Sequence, residues 1–165
     1  MVKAYRVSIF IVMFILANVF SEANAIKVGD KAPEFSLSNI NGEMVSLSDY
    51  KDNIVMLIFF ASWCPSCKKE TPDLIELQET YGDKGFSVIG IAGVSAEEAK
   101  NFAEELDINY SVLVDDDDKV SDQYGPVESI PAMFLLDKNG NIVKTYVGLT
   151  EKDEIDSDIQ DLLKP

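Results

Sequence analysis

Seven consecutive apolar residues, Ile54 to Phe60, run almost directly into Trp63-Cys64-Pro65-Ser66-Cys67. An unbroken apolar run of that length predicts a central strand buried on both faces. Pro65 suits the first turn of a helix, and Leu74, Leu77, Gln78 and Tyr81 follow at helical spacing. A helix is therefore expected from about 65 to 81, kinked at Pro72. The chain's only two cysteines thus fall at a strand-to-helix junction. The positive end of a helix stabilises a thiolate there, and a thiolate is the attacking species in disulfide exchange. A Cys-x-x-Cys pair so placed is suited to close into a disulfide and to reopen by thiol exchange.

Competing uses of two cysteines are weaker. A purely structural bridge over so short a loop removes little entropy from the unfolded chain. A zinc site needs about four ligands, and with two thiols and no histidine a closed Cys/His zinc site is excluded. Residue 68 is lysine, so the Cys-x-x-Cys-His pattern of covalent haem attachment is absent.

Residues 1–25 read as a signal peptide. Lys3 and Arg6 form a basic start, Val7 to Val19 is apolar apart from Ser8 and Asn18, and Ala23-Asn24-Ala25 offers small residues where a signal peptidase reads. The alternative is an uncleaved membrane anchor facing outward, but the stretch is shorter than the ~20 residues that cross a bilayer. Either way the domain is expected outside the cytoplasm, most simply in a periplasm, where thiols meet disulfides. Residues 26–165 suit one compact domain. Removing Lys3, Arg6 and Glu22 takes the basic count from 14 to 12 and the acidic count from 29 to 28, a net charge of −16. Such a surface is repelled by nucleic acid and by anionic membranes, so neither is an expected partner. The domain is expected to be a monomer.

Further along, Asn41-Gly42 between Phe35–Leu37 and Met44–Leu47 predicts an N-terminal hairpin. Phe86 to Ala92 reads as a second buried strand. Ser95-Ala96-Glu97-Glu98 is a capping box opening a helix to about Leu106, and Ser111 to Val114 is a short strand. Asp115 to Asp118 lacks the alternation and central glycine of a calcium loop, and is expected instead to satisfy the N–H groups of a short helix ending at Tyr124. Met133–Leu136 and Ile142–Val147 flank an Asn139-Gly140 turn. Thr150-Glu151-Lys152-Asp153 starts a last helix with Ile155, Ile159, Leu162 and Leu163 on its apolar stripe.

Element order and motifs together resemble the thioredoxin-like superfamily, and within it the TlpA/ResA-like extracytoplasmic thiol-disulfide oxidoreductases. The likeness covers residues 27 to 163 and rests on Trp63-Cys64-x-x-Cys67 combined with Ile130-Pro131. It implies an α/β thioredoxin-like fold: a central mixed sheet flanked by helices, an N-terminal β-hairpin and a helix-strand insert near residues 95–114. It also implies a cis Ile130-Pro131 bond lying against the dithiol, so that Trp63, Ile130 and Pro131 form the substrate-binding surface and the Ile130 backbone pairs with a substrate segment.

The resemblance assigns Cys64 as the attacking thiol, Cys67 as the resolving thiol, and the pair as the redox disulfide. Thioredoxin carries a buried aspartate on the strand before its dithiol, and Ile58 stands there instead. TlpA/ResA-like proteins place a glutamate three residues past the second cysteine, which is Glu70 here, one helical turn from Cys67 and suited to exchange protons with it. Its alternative is a solvated helix carboxylate. Pro65-Ser66 also departs from the thioredoxin Gly-Pro pair, so no potential carries over. No metal, flavin or nucleotide is required. The implied partners are disulfide-containing exported proteins, apocytochrome c among them, and a membrane electron donor of the DsbD/CcdA type. Two other readings stay open. A peroxiredoxin-like thiol peroxidase would need Pro and Thr where Phe60 and Cys64 stand, and an arginine that the chain lacks after Arg6. A non-enzymatic client-binding module would keep its activity with both cysteines replaced.

Overall fold

The computed structural model describes residues 26–125 and 129–164. The expected signal peptide, residues 1–25, lies outside the described residues. Strands β1 (Ser36–Ser38) and β2 (Met44–Ser46) pair antiparallel as a separate two-stranded hairpin. Its strands lie within a residue of the predicted ones, with Gly42 at a φ of 85° that suits glycine at the turn. The other strands are β3 (Ile54–Phe60), β4 (Phe86–Ala92), β5 (Ser111–Val114), β6 (Ala132–Leu136) and β7 (Ile142–Val147). They form a mixed sheet in the order β5-β4-β3-β6-β7, parallel between β3, β4 and β5 and antiparallel at β6 and β7.

Among the described residues the four α-helices are α1 (Pro65–Tyr81), α2 (Ala96–Glu105), α3 (Lys119–Gln123) and α4 (Lys152–Leu163). The central position of β3 explains its composition. Ile54, Met56, Ile58 and Phe60 face a core containing Leu74 and Leu77 of α1, Phe102 of α2, and Ile155 and Ile159 of α4. Val55, Leu57 and Phe59 face the opposite core with Phe35, Val120, Tyr124 and Phe134. All seven β3 residues are buried. Burying each such side chain contributes about 1.5–3 kcal/mol, so this strand anchors both layers.

Local signals held at most ends. Ser95 and Glu98 form the capping box at α2, with the Glu98 amide donating to Ser95 Oγ and the Ser95 amide donating to Glu98 Oε2. Helix α1 spans the predicted 65–81 as one element, with Pro72 inside it. Gln78 is used differently from its apolar neighbours: its Oε1 accepts the Val88 amide at 2.7 Å and so links α1 to β4.

Two expectations need correction. Only Asp115 of the four aspartates caps α3, accepting Val120 N–H at 3.1 Å and Ser121 N–H at 2.8 Å. Asp118, at the N-cap itself, has a left-handed φ of 55° in place of the extended backbone usual for a capping residue, and makes no side-chain capping bond. At the last helix the N-cap is Glu151, without a side-chain cap, and Thr150 lies outside the helix. Asp153 and Glu154 in the first turn still favour the helix dipole. Among the described residues no helix is long and apolar enough to cross a membrane.

Candidate active site

The parallel strands β3 and β4 end together, pairing Phe60 with Ala92, and the chain leaves β3 into the dithiol loop. Cys64 is the N-cap of α1 with extended backbone (φ −84°, ψ 113°), and Pro65 occupies the first turn, where its missing N–H costs nothing. The Cys64 Sγ accepts the Cys67 amide at 3.1 Å. A sulfur held by a first-turn amide at the positive end of a seventeen-residue helix is set to carry negative charge. Cys64 and Cys67 are joined as a disulfide, with Cα atoms 5.3 Å apart. Cys67 is fully buried and Cys64 is 4 % exposed, so Cys64 is the nearer of the two to solvent, by a narrow margin.

The Ile130-Pro131 bond is cis. It brings the Ile130 carbonyl to 3.7 Å from Cys64 Sγ, a distance suited to a weak S–H donor once the pair is reduced. Trp63 projects beside the pair and is 71 % exposed. Trp63, Ile130, Phe60 and Ala61 line part of a groove of about 240 Å³ that reaches Asp118 and Ser121. The structure thus gathers Trp63, Cys64, Cys67, Ile130 and Pro131 in one place.

Glu70 lies on the buried stripe of α1, in phase with Cys67, Leu74, Leu77 and Tyr81. It is fully buried, not the solvated helix carboxylate of the alternative reading. Its Oε2 accepts the Thr150 backbone amide at 3.0 Å, while Oε1 has no partner. Burial raises the carboxyl above its ordinary value, the Thr150 amide draws it partly back, and the nearby charges of Asp73 and Glu151 raise it further. The next residue along α1, Thr71, donates its hydroxyl to the Cys67 carbonyl at 2.9 Å.

The segment after β7 was missed by sequence reasoning. Gly148, with φ +80°, donates its amide to the Pro131 carbonyl at 2.8 Å, and two residues later Thr150 reaches Glu70. No side-chain pattern announces such contacts, since both donors are backbone amides. The burial of Glu70 was signalled: stepping the α1 stripe back from Leu74 lands on 70 and 67.

Fold and site together define a thioredoxin-like protein-disulfide oxidoreductase. A family model for the AhpC/TSA family matches residues 28–145, and the chain belongs to that family. It is 34% identical over 149 residues to the thiol-disulfide oxidoreductase ResA of Geobacillus thermodenitrificans, covering 90% of this chain and 85% of that protein. The ResA of Bacillus subtilis is 33% identical over 148 residues, 89% of this chain and 82% of its own. A Chlorobium tepidum crystal structure assigned as a thiol:disulfide interchange protein DsbE superposes with a TM-score of 0.80 at 31% identity, covering 85% of this chain and all of that one.

Proposed function

We propose that this oxidoreductase works outside the cytoplasm as a reductant of disulfides in exported proteins. The observation that carries the reading is the asymmetry of the pair: Cys64 caps a helix and lies against Ile130, while Cys67 is sealed behind it. The Cys64 thiolate attacks a client disulfide, forming a mixed disulfide and releasing one client sulfur as a thiolate. Cys67 then loses its proton to Glu70 and attacks Cys64 Sγ, so the Cys64–Cys67 bond forms and the second client sulfur departs. Two electrons pass to the client and the pair is left oxidised. A membrane thiol donor of the DsbD/CcdA type returns them.

Trp63, Ile130 and Pro131 hold the client segment in extended form beside Cys64. Apocytochrome c, whose haem-binding cysteines must be reduced before attachment, is the substrate class that the resemblance to TlpA/ResA-like proteins implies. The reading is tested by reduction of insulin disulfides. The wild-type protein accelerates it and Cys64→Ser abolishes it, while Cys67→Ser accumulates covalent mixed disulfides through Cys64. Undiminished reduction in either cysteine variant, or equal trapping by both, overturns the assigned roles. Equilibration in graded glutathione gives the direction: a potential well below the extracytoplasmic poise is expected.

A further inference from the structure

Glu70 is wholly buried with one oxygen unpartnered, and the other is held by an amide 80 residues away in sequence. That amide belongs to a short turn with a second contact at the site. Within it the Thr150 hydroxyl donates to the Gly148 carbonyl at 3.3 Å, and the Gly148 amide donates to the Pro131 carbonyl at 2.8 Å. The neighbouring Ile130 carbonyl lies 3.7 Å from Cys64 Sγ. Cys64 and Glu70 sit at the cap and in the second turn of the same helix. The contacts therefore form a closed circuit: helix, acid, turn, proline segment, and back to the attacking sulfur.

We propose that the Gly148–Thr150 turn is a strap through which the proton on Glu70 sets the grip of the Ile130-Pro131 segment on a client, with the Thr150 amide as the positioning group. The proposal rests on the proton-accepting role given to Glu70 above. An ionised carboxylate accepts a hydrogen bond roughly twice as strongly as a neutral acceptor. While Glu70 is ionised, the strap is tight and the Pro131 carbonyl is fixed, which holds the segment rigid for pairing with a client. As Cys67 attacks the mixed disulfide, its proton passes to Glu70, the Cys64–Cys67 bond forms, and the Cys64–client bond breaks. The client sulfur leaves as a thiolate and takes its proton from water. The neutral Glu70 then holds Thr150 weakly, and the segment loosens as the reduced client must leave. By reciprocity, a client that tightens the segment favours the ionised acid.

The titratable groups facing Glu70 are Asp73 on its own helix, Glu151 at the start of α4, the Tyr110 phenol before β5, and the Cys67 thiol once reduced. None is a cation, so none offers the carboxylate an opposite charge. The Thr150 amide is its one polar contact among the described residues.

The test uses the oxidised full chain, in which no thiol titrates and no turnover occurs. Residue-resolved hydrogen exchange follows the Gly148 amide against pH, corrected for its intrinsic rate, while NMR follows the Glu70 carboxyl. Opening at Gly148 is expected to rise about tenfold as pH falls through the Glu70 titration, the equivalent of one weakened charge-assisted bond. Glu70→Gln should be fast at every pH. Replacing the Thr150 amide by an ester removes only the donor: Gly148 should again be fast, and Glu70 should titrate higher. Thr150→Ala keeps the amide and should respond to pH like the wild type. A corrected Gly148 rate that ignores pH in the wild type, or that equals the wild type in Glu70→Gln, overturns the strap. Because no client or thiol is present, this outcome is independent of the insulin assay, whose failure alone would overturn the proposed chemistry.

Discussion

Glu70 and Asp115 are both carboxylates withdrawn from water, at 0 % and 1 % exposure, and the chain treats them in opposite ways. Asp115 follows β5, and each of its oxygens accepts an amide from the first turn of α3. Glu70 receives one amide and keeps one bare oxygen. A buried carboxylate with both oxygens bonded has its acceptor capacity engaged and works as a cap. One left half-satisfied bears a desolvation cost of about 1–3 kcal/mol that nothing in its own surroundings returns. Such an atom makes sense where a proton must come and go. Only Glu70 also sits one turn from a sulfur of the dithiol, which is the asymmetry expected between a structural acid and the proton acceptor proposed for Cys67.

The contrast breaks most visibly at Asp115. Asp115→Ala leaves the buried Val120 amide and the part-buried Ser121 amide without their acceptor, and the unfolding free energy should fall by about 1–3 kcal/mol. Urea unfolding should show a lower midpoint with an unchanged slope. Asp115 also borders the groove of Trp63 and Ile130, so the readout of chemistry is a small disulfide that does not use the groove: its reduction per folded molecule should stay at the wild-type rate. Loss of exchange chemistry without loss of stability would put Asp115 in the active site and erase the distinction.

How much of this was legible in the chain depends on whether a contact is local. The Cys-x-x-Cys junction, the Ser95 capping box and both Asn-Gly turns are written in residues that touch neighbours a few positions away, and the β3 run announces its burial by composition although its partners are distant in sequence. Each came through within a residue or two. The cis Ile130-Pro131 bond was expected by resemblance, because propensity alone favours trans. The Thr150 amide on Glu70 joins residues 80 apart through a group that every non-proline residue carries, so no composition or period reveals it. Asp118 shows the converse failure. Its type predicts a cap, but its left-handed backbone gives that task to Asp115, three residues earlier.

Trp63 sharpens the contrast from the solvent side. At 71 % exposure it contributes little packing, and Trp63→Ala should change stability by less than about 0.5 kcal/mol. As an aromatic anchor beside the dithiol, its loss should lower kcat/KM for a protein disulfide by roughly tenfold. A small disulfide that never reaches the groove should be reduced at the wild-type rate. Equal losses on both substrates would mean that the indole tunes the thiols and does not bind clients.

The smallest effect is the most specific to Glu70. Its carboxyl is raised in the folded protein, chiefly by burial, so the native state holds that proton more tightly than the unfolded chain does. The stabilisation is fully present below the unfolded value, near pH 4, and is lost as pH rises through the folded value. Above that, ionised Glu70 carries a constant penalty. A glutamine side chain does not titrate, so the difference between oxidised wild type and Glu70→Gln should move steadily against the wild type over that window and then level off. Urea midpoints measured on both proteins across pH give the curve directly, with the closed disulfide keeping the thiols silent. In the reduced proteins, removing the negative charge should let Cys67 ionise at lower pH, followed by alkylation against pH. A more acidic thiol is also a weaker nucleophile, so the change in turnover should be smaller than the change in titration. Parallel stability curves together with an unmoved thiol would show that Glu70 is as structural as Asp115, and the bare oxygen would then have no chemical role.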